Sequence, residues 1–214
     1  MTGVEPAGVP VNCRVELADL HAHLFRVTMT LARPQAVQRL TLPVWIPGSY
    51  LVREFAKNLQ NLVARQGRRS CAVQQIDKST WEVACAPALP LELQYEIHAH
   101  DDSVRTAWLD TGRGFFNGTS LFLQAHGLDA QPHDLELVGG EQRTRWQVAT
   151  GLRPVKVDRR GWGRYRAGDY DELVDCPVEM GAFWSGRFIA AGVRHRLVVA
   201  GAAPSFDGWR LLAD

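Results

Sequence analysis

The sequence of 214 residues contains no His-Glu-x-x-His, no Cys-x-x-Cys, no Gly-x-Ser-x-Gly and no glycine-rich phosphate loop; Gly112-Arg-Gly114 is too short to serve as one. These absences remove, in turn, a zinc-peptidase helix, a zinc knuckle, a serine-hydrolase elbow and a nucleotide cradle. Charge of one sign is also lacking. The net charge of +1 gives no long-range field for nucleic acid or an anionic membrane, so neither is an expected partner. No apolar run approaches the length of a membrane-spanning helix. The start, Met1-Thr-Gly-Val-Glu-Pro6, lacks a basic region followed by an apolar stretch, so no secretory signal is read. A cytoplasmic protein is expected, with export of a longer parent left open.

What is present is an ordinary globular composition, 46% hydrophobic and 22% charged, enough to bury a sizeable core. Four cysteines, Cys13, Cys71, Cys85 and Cys176, are read as buried free thiols, because the chain is large and shows no secretory signal. For the same reason Asn117-Gly-Thr119 is read as a chance glycosylation sequon.

Period-two alternation dominates. In residues 21–32, Phe25, Val27, Met29 and Leu31 alternate with Arg26, Thr28 and Thr30, which predicts a strand with one core face. Leu91, Leu93, Tyr95 and Ile97 alternate with polar residues in the same way. Residues 72–76 and 80–85 flank Asp77-Lys-Ser79 as a hairpin, and 188–190 and 195–199 flank Gly192 as another. Shorter strands are expected near 40–45, 106–109, 120–124, 135–138 and 145–149. Residues 49–64 allow a short helix or an irregular turn before Leu59, and Ser205 is expected to cap a final helix. Many short strands with turn signals predict a mainly β protein, an antiparallel β-sandwich or saddle-like open sheet. A shift from basic residues 153–166 to acidic residues 169–175 places the end of a β-domain at about residue 169.

Candidate chemistry is thin. His21-Ala-His23 and His98-Ala-His100 would each share a strand face and could clamp an ion, but the same spacing arises on any exposed strand and no third ligand supports it. No metal ligand and no catalytic residue is therefore assigned. Cys176 lies among carboxylates, which raise a thiol pKa and argue against a reactive thiolate. Asp101-Asp102 and the Asp171, Glu172, Asp175 group read as solvated surface. Two sharp turns stand out. Pro47-Gly48 suits a type II turn presenting Ser49, Tyr50 and Arg53, and Asn117-Gly118 suits a turn that tolerates positive φ.

Residues 45–55 (Trp-Ile-Pro-Gly-Ser-Tyr-Leu-Val-Arg-Glu-Phe), 107–122 (containing Gly-Phe-Phe-Asn-Gly-Thr-Ser-Leu-Phe) and 171–181 (Asp-Glu-Leu-Val-Asp-Cys-Pro-Val-Glu-Met-Gly) occur in an informative order. Together they resemble the N-terminal domain of the PDZ-containing glycyl aminopeptidases, metallopeptidase family M61. The resemblance implies a non-catalytic β-domain, residues 1–169, that shapes the substrate cleft of a zinc-dependent aminopeptidase preferring N-terminal glycine. It implies that 170–214 is the incomplete beginning of a following α/β catalytic domain. It places zinc and a PDZ domain in parts that this chain does not contain, leaves no cofactor here, and makes the chain inactive by itself. Its partners would be its own catalytic domain and the peptide substrate. By the same analogy, Asn117 and Thr119 would bind substrate backbone. Two other readings stay open: a stand-alone β-sandwich module that binds peptide or glycan, and a small metalloenzyme using both His-Ala-His pairs.

Overall fold

The computed structural model describes residues 8–46, 49–201 and 205–213. The Pro47-Gly48 turn therefore lies outside the described residues. The first half of the chain forms strands β1 (Val11–Asp19), β2 (Leu24–Leu31), β3 (Val37–Thr41), β4 (Leu59–Gln66), β5 (Arg69–Cys71), β6 (Val73–Gln75), β7 (Thr80–Ala84) and β8 (Leu91–His98). Then come β9 (Ala107–Leu109), β10 (Arg113–Phe116), β11 (Gln124–Ala125), β12 (His133–Val138), β13 (Gln147–Thr150), β14 (Arg153–Val157) and β15 (Gly163–Ala167). Helix α1 (Tyr170–Asp175) leads into β16 (Val178–Gly181), β17 (Trp184–Ala190), β18 (Val193–Val199) and α2 (Gly208–Ala213).

The strands make an eight-stranded sheet, β14-β15-β12-β1-β2-β8-β4-β5, two four-stranded sheets, β13-β16-β10-β9 and β11-β3-β7-β6, and the hairpin β17-β18. The protein is mainly β, with several antiparallel sheets and no closed barrel, as a β-sandwich N-terminal domain requires. One pairing is parallel, β1 with β12.

Alternation explains the layers. Phe25, Val27, Met29 and Leu31 on β2 stand opposite Ile97, Tyr95, Leu93 and Leu91 on β8, all on the buried face. Val11, Cys13 and Val15 of β1 and Leu135 and Leu137 of β12 extend that face. Leu40, Trp81 and Val83 from the β11-β3-β7-β6 sheet and Phe116, Val148 and Val178 from the β13-β16-β10-β9 sheet join one contiguous core. Each fully buried large aliphatic or aromatic side chain stabilises this packing by roughly 1.5–3 kcal/mol.

Several elements differ from the sequence reading, each for a local reason. The expected strand from residue 21 starts at Leu24, because Asp19 Oδ1 accepts from His21 N and Ala22 N, both at 2.9 Å, and holds a turn. His23 leaves that turn with φ of 59°. In 49–64 the expected short helix or turn before Leu59 is present as a single 3₁₀ turn, Phe55–Asn58, ahead of β4, whose register shifts between Gln60 and Val63 around Asn61 (φ 57°). Residues 120–123 form the end of a 3₁₀ turn and irregular backbone, and of the expected strand 120–124 only Gln124 is in a strand, the short β11. Asp207, and not Ser205, caps α2: its Oδ1 accepts from Trp209 N and Arg210 N, both at 3.1 Å. Both expected hairpins are present. The second turns through Ala191 (φ 49°) and Gly192 (φ 78°), the primed geometry that suits twisted strands. Of the four free thiols, Cys13 is fully buried, and burial pushes its pKa up to about 12; Cys71, Cys85 and Cys176 are only half-buried.

His133 opens β12 with 1% exposure, its Nδ1 2.8 Å from Gln131 O and its ring edge-on to Tyr170. Burial holds its pKa below the ordinary value, outweighing the Gln131 bond and the carboxylates of Asp129, Asp169 and Asp134. The unfolded chain takes up this proton near about pH 6.5, while the folded chain resists it. Stability is therefore present above that pH and is lost as pH falls towards the lowered folded pKa. Denaturant melts from pH 7.5 to 5 should show a fall that His133→Gln reduces by up to about 1 kcal/mol per pH unit. Parallel curves for the two proteins would contradict this.

Candidate functional site

The three sequence runs, far apart along the chain, meet at one turn. Asn117 is extended (φ −87°, ψ 132°) and caps the 3₁₀ turn Gly118–Ser120. Its Oδ1 accepts from Thr119 N at 3.1 Å and from Thr119 Oγ1 at 2.5 Å. Ser120 Oγ donates back to Asn117 O at 2.8 Å, and Asn117 N donates to Thr106 O at 2.8 Å. Asn117 is thus used as a cap, not for the positive φ that Asn-Gly suggested. Thr119 is buried, its hydroxyl committed to Asn117, while Asn117 is half-exposed. The amide Nδ2 of Asn117 donates to no acceptor among the described residues.

Below the turn, the chain is pinned by two phenols. Tyr95 OH donates to Leu121 O at 3.0 Å and accepts from Leu123 N at 3.2 Å. Tyr170 OH donates to Phe122 O at 2.8 Å. Burial raises the pKa of both phenols, so both stay protonated as donors. Phe116 and Phe122 pack edge-to-face at 5.7 Å.

The third run forms the wall behind the turn. Asp169 caps α1, its Oδ1 accepting from Glu172 N at 2.8 Å, while Glu172 Oε2 accepts from Gly168 N at 2.6 Å. A Cβ on Gly118 would lie 2.6 Å from Val174 Cα and 3.0 Å from Leu173 O. β16 pairs with β10 from Arg113↔Gly181 to Phe116↔Val178. Arg113 and Glu179 add a bidentate ion pair, Nε to Oε1 at 2.9 Å and a terminal guanidinium nitrogen to Oε2 at 2.8 Å. The first run arrives from the other side: the Phe55–Asn58 turn lies against the Gly118–Ser120 turn. Ahead of it Ser49 is buried, Tyr50 fully exposed and Arg53 half-buried. Arg53 Nε is buried with no hydrogen-bond partner. Val44, Trp45, Tyr50, Leu51 and Val52 are each exposed apolar side chains.

The histidines gather elsewhere. His23 and His100 stack at 4.0 Å with rings 15° apart, His98 lies edge-on 6.0 Å from His23, and Trp108 covers the other side of His100 at 4.8 Å. Parallel stacked rings direct their nitrogens outward and not at a common point. Among the described residues, no group of three or more His, Cys, Asp or Glu is arranged to hold a metal. These residues do not fit a resident zinc ion. Cys176 has its pKa raised, by burial first and then by Glu172 and Asp175. Asp101 Oδ1 is spent on Ser103 N at 2.9 Å. Sequence reasoning missed Tyr95, Tyr170 and Gly118. It also missed Asp169-x-x-Glu172, a capping-box spacing hidden inside what looked like a plain acidic run.

Among the described residues, the side-chain donor that the turn leaves without an acceptor is Asn117 Nδ2. The model of the Peptidase M61 N-terminal domain family matches residues 12–182. An aminopeptidase N family protein from Idiomarina loihiensis is 39% identical, with a TM-score of 0.91 over 95% of this chain and 34% of that one. An M1 zinc metallopeptidase from Deinococcus radiodurans has 13% identity and a TM-score of 0.51 over 94% of this chain and 50% of that one. A variant of that enzyme bound to a Tyr-Ser-Ala substrate has 14% identity and a TM-score of 0.54, covering 93% and 49%. The Deinococcus likenesses show the fold alone. The chain spans about a third of the Idiomarina protein and about half of the Deinococcus ones. No curated protein matches the chain.

Gly118→Ala should force Val174 and Leu173 away from the turn. A clash with backbone cannot be relieved by a rotamer change, so we expect a loss of about 1–3 kcal/mol. Thermal unfolding with a matched Gly140→Ala control measures it; Gly140 has open space around its Cβ position and pays only for its φ of 51°. A Gly118→Ala protein as stable as wild type would show that α1 does not wall the turn.

Proposed function

This chain belongs to the Peptidase M61 N-terminal domain family, and on that premise we propose that it is the non-catalytic front domain of a zinc-dependent aminopeptidase that prefers N-terminal glycine. In this reading the 117–120 turn forms one wall of the substrate cleft. The observation that carries the proposal is the convergence of three distant sequence runs on a turn whose half-exposed Asn117 keeps its Nδ2 donor without a side-chain or backbone acceptor among the described residues. A turn needed only to reverse the chain would not require Tyr95, Tyr170, Gly118 and the capped α1 to fix it.

Asn117 Nδ2 and Arg53 Nε are donors without protein acceptors, in segments whose 3₁₀ turns touch. Asn117 Nδ2 suits an acceptor brought by another molecule, as a carbonyl of an extended peptide would be, whereas Arg53 Nε is buried away from one. Thr119 orients the amide through Oγ1 and does not itself reach substrate. The exposed apolar side chains of Trp45, Tyr50, Leu51 and Val52 suit contact with the protein's own catalytic domain. Residues 170–214 open that domain, although α1 and β16 are already bonded into the layers of this one. Zinc belongs to the catalytic domain.

The test uses the full-length enzyme. Asn117→Ala removes cap and donor together, whereas Asn117→Asp keeps an oxygen for Thr119 N and replaces the Nδ2 donor with an anionic acceptor. A lost hydrogen bond costs about 0.5–1.5 kcal/mol, or up to roughly 3 where a partner is left buried and unpaired. Both variants should lower kcat/KM on an N-terminal glycine peptide by roughly several-fold to a hundredfold, with the Asp variant as stable as wild type. Wild-type kinetics in Asn117→Asp would reduce the turn to a structural connection.

A further inference from the structure

Cys71 and Cys85 lie at the edges of two different sheets, on either side of the space between them. Cys71 ends β5, the outermost strand of the eight-stranded sheet, opposite Ala64 on β4. Cross-strand partners share a face, and so do residues two apart, so Cys71, Ala64 and Gln66 point the same way. That face is the inner one, because Ala64 and Gln66 are buried. Cys85 directly follows β7 of the other sheet.

Gln66 ties the two thiol-bearing segments together. Its Oε1 is 4.0 Å from Cys71 Sγ and accepts from Ala86 N at 2.8 Å. Its Nε2 donates to Ala86 O and Leu89 O, each at 2.8 Å. The β6–β7 pairing ends at Val73↔Val83, and Cys71 and Cys85 each lie two residues beyond that last pair, on the two segments that leave it. Both cysteines line one cavity of about 450 Å³, together with Gln66, Ala72 and Ala84. Burial, and after it the neighbouring Cys71, pushes up the pKa of the Cys85 thiol, as expected of two sulfurs sharing a site.

We propose that Cys71 and Cys85 are a dithiol pair that closes to a disulfide by exchange with a small-molecule disulfide such as oxidised glutathione. One cysteine thiolate attacks the glutathione disulfide, forming a mixed disulfide and releasing one reduced glutathione. The second thiolate attacks the protein-side sulfur, forming the Sγ–Sγ bond and releasing the second glutathione. The two thiol protons pass to the two glutathione molecules, and the two electrons from the protein sulfurs reduce the small disulfide. Cys85 Sγ now donates to Gln35 O at 3.1 Å, so closure begins by rotating Cys85 about its Cα–Cβ bond and giving up that contact. The product staples the outer edge of the large sheet to the β7 sheet, across the seam that Gln66 bridges with side-chain hydrogen bonds.

The chain is equilibrated in glutathione buffers of increasing oxidised fraction, acid-quenched, and analysed by intact mass and peptide mapping without reductant. The expected species has lost two hydrogens, carries a 71–85 cross-link, and melts roughly 5–10 °C higher than the reduced chain. Cys176→Ser should leave that cross-link intact. Cys71→Ser or Cys85→Ser should abolish it and leave one glutathione on the surviving partner. A wild-type chain that keeps all its thiols alkylatable, or that carries glutathione on both cysteines with no cross-link, would overturn the proposal. So would a bridge from either cysteine to Cys176 or to a second chain.

Discussion

The turn at residues 117–120 exists because residue 118 has no side chain. The backbone of α1 approaches so closely that a methyl group there would lie 2.6 Å from Val174 Cα. Everything that defines the site is arranged around that contact. α1 is held by its Asp169 cap and by Tyr170, and it leads directly into β16. β16 in turn fixes β10, which delivers Asn117 to the turn. Loosening of the 118–174 contact would let the cap, the strand register and the Asn117 amide move together.

The polar groups around this contact rigidify it. Leu121 O, Phe122 O and Leu123 N are backbone groups in a buried segment that makes no strand, so they would be costly to leave unpaired. Tyr95 and Tyr170 pair all three from opposite sides. The result is a segment without regular secondary structure that is as constrained as a strand. Such a segment is suited to hold a hydrogen-bond donor in fixed geometry, because little ordering entropy remains to be lost when an acceptor arrives.

The sequence was legible where one periodicity ruled. β2 and β8 alternate cleanly, since each has one buried and one solvated face, and both hairpins carried their turn residues at the tip. It was misleading where a local bond overrode the pattern. Asp19 delays β2 by three residues, and Asp207 displaces the expected Ser205 cap. The parallel pairing of β1 with β12 left no local signal, because it joins segments more than a hundred residues apart. The site was half-legible. Asn117 and Thr119 stood out through the run that contains them, but the meaning of Gly118 depends on a helix some fifty residues away. The two His-Ala-His pairs read as two possible clamps, yet the fold places His23 on a turn and joins it with His98 and His100 in a ring stack.

The central claim is that this domain presents a preorganised amide donor to a peptide held by the rest of a longer enzyme. The most direct measurement is a structure of the full-length enzyme with a non-hydrolysable peptide that begins with glycine. The account predicts Asn117 Nδ2 within hydrogen-bonding distance of a peptide oxygen, with the 117–120 turn unchanged from its position here. A peptide bound with the turn facing away from it, or covered by the catalytic domain, would contradict the account.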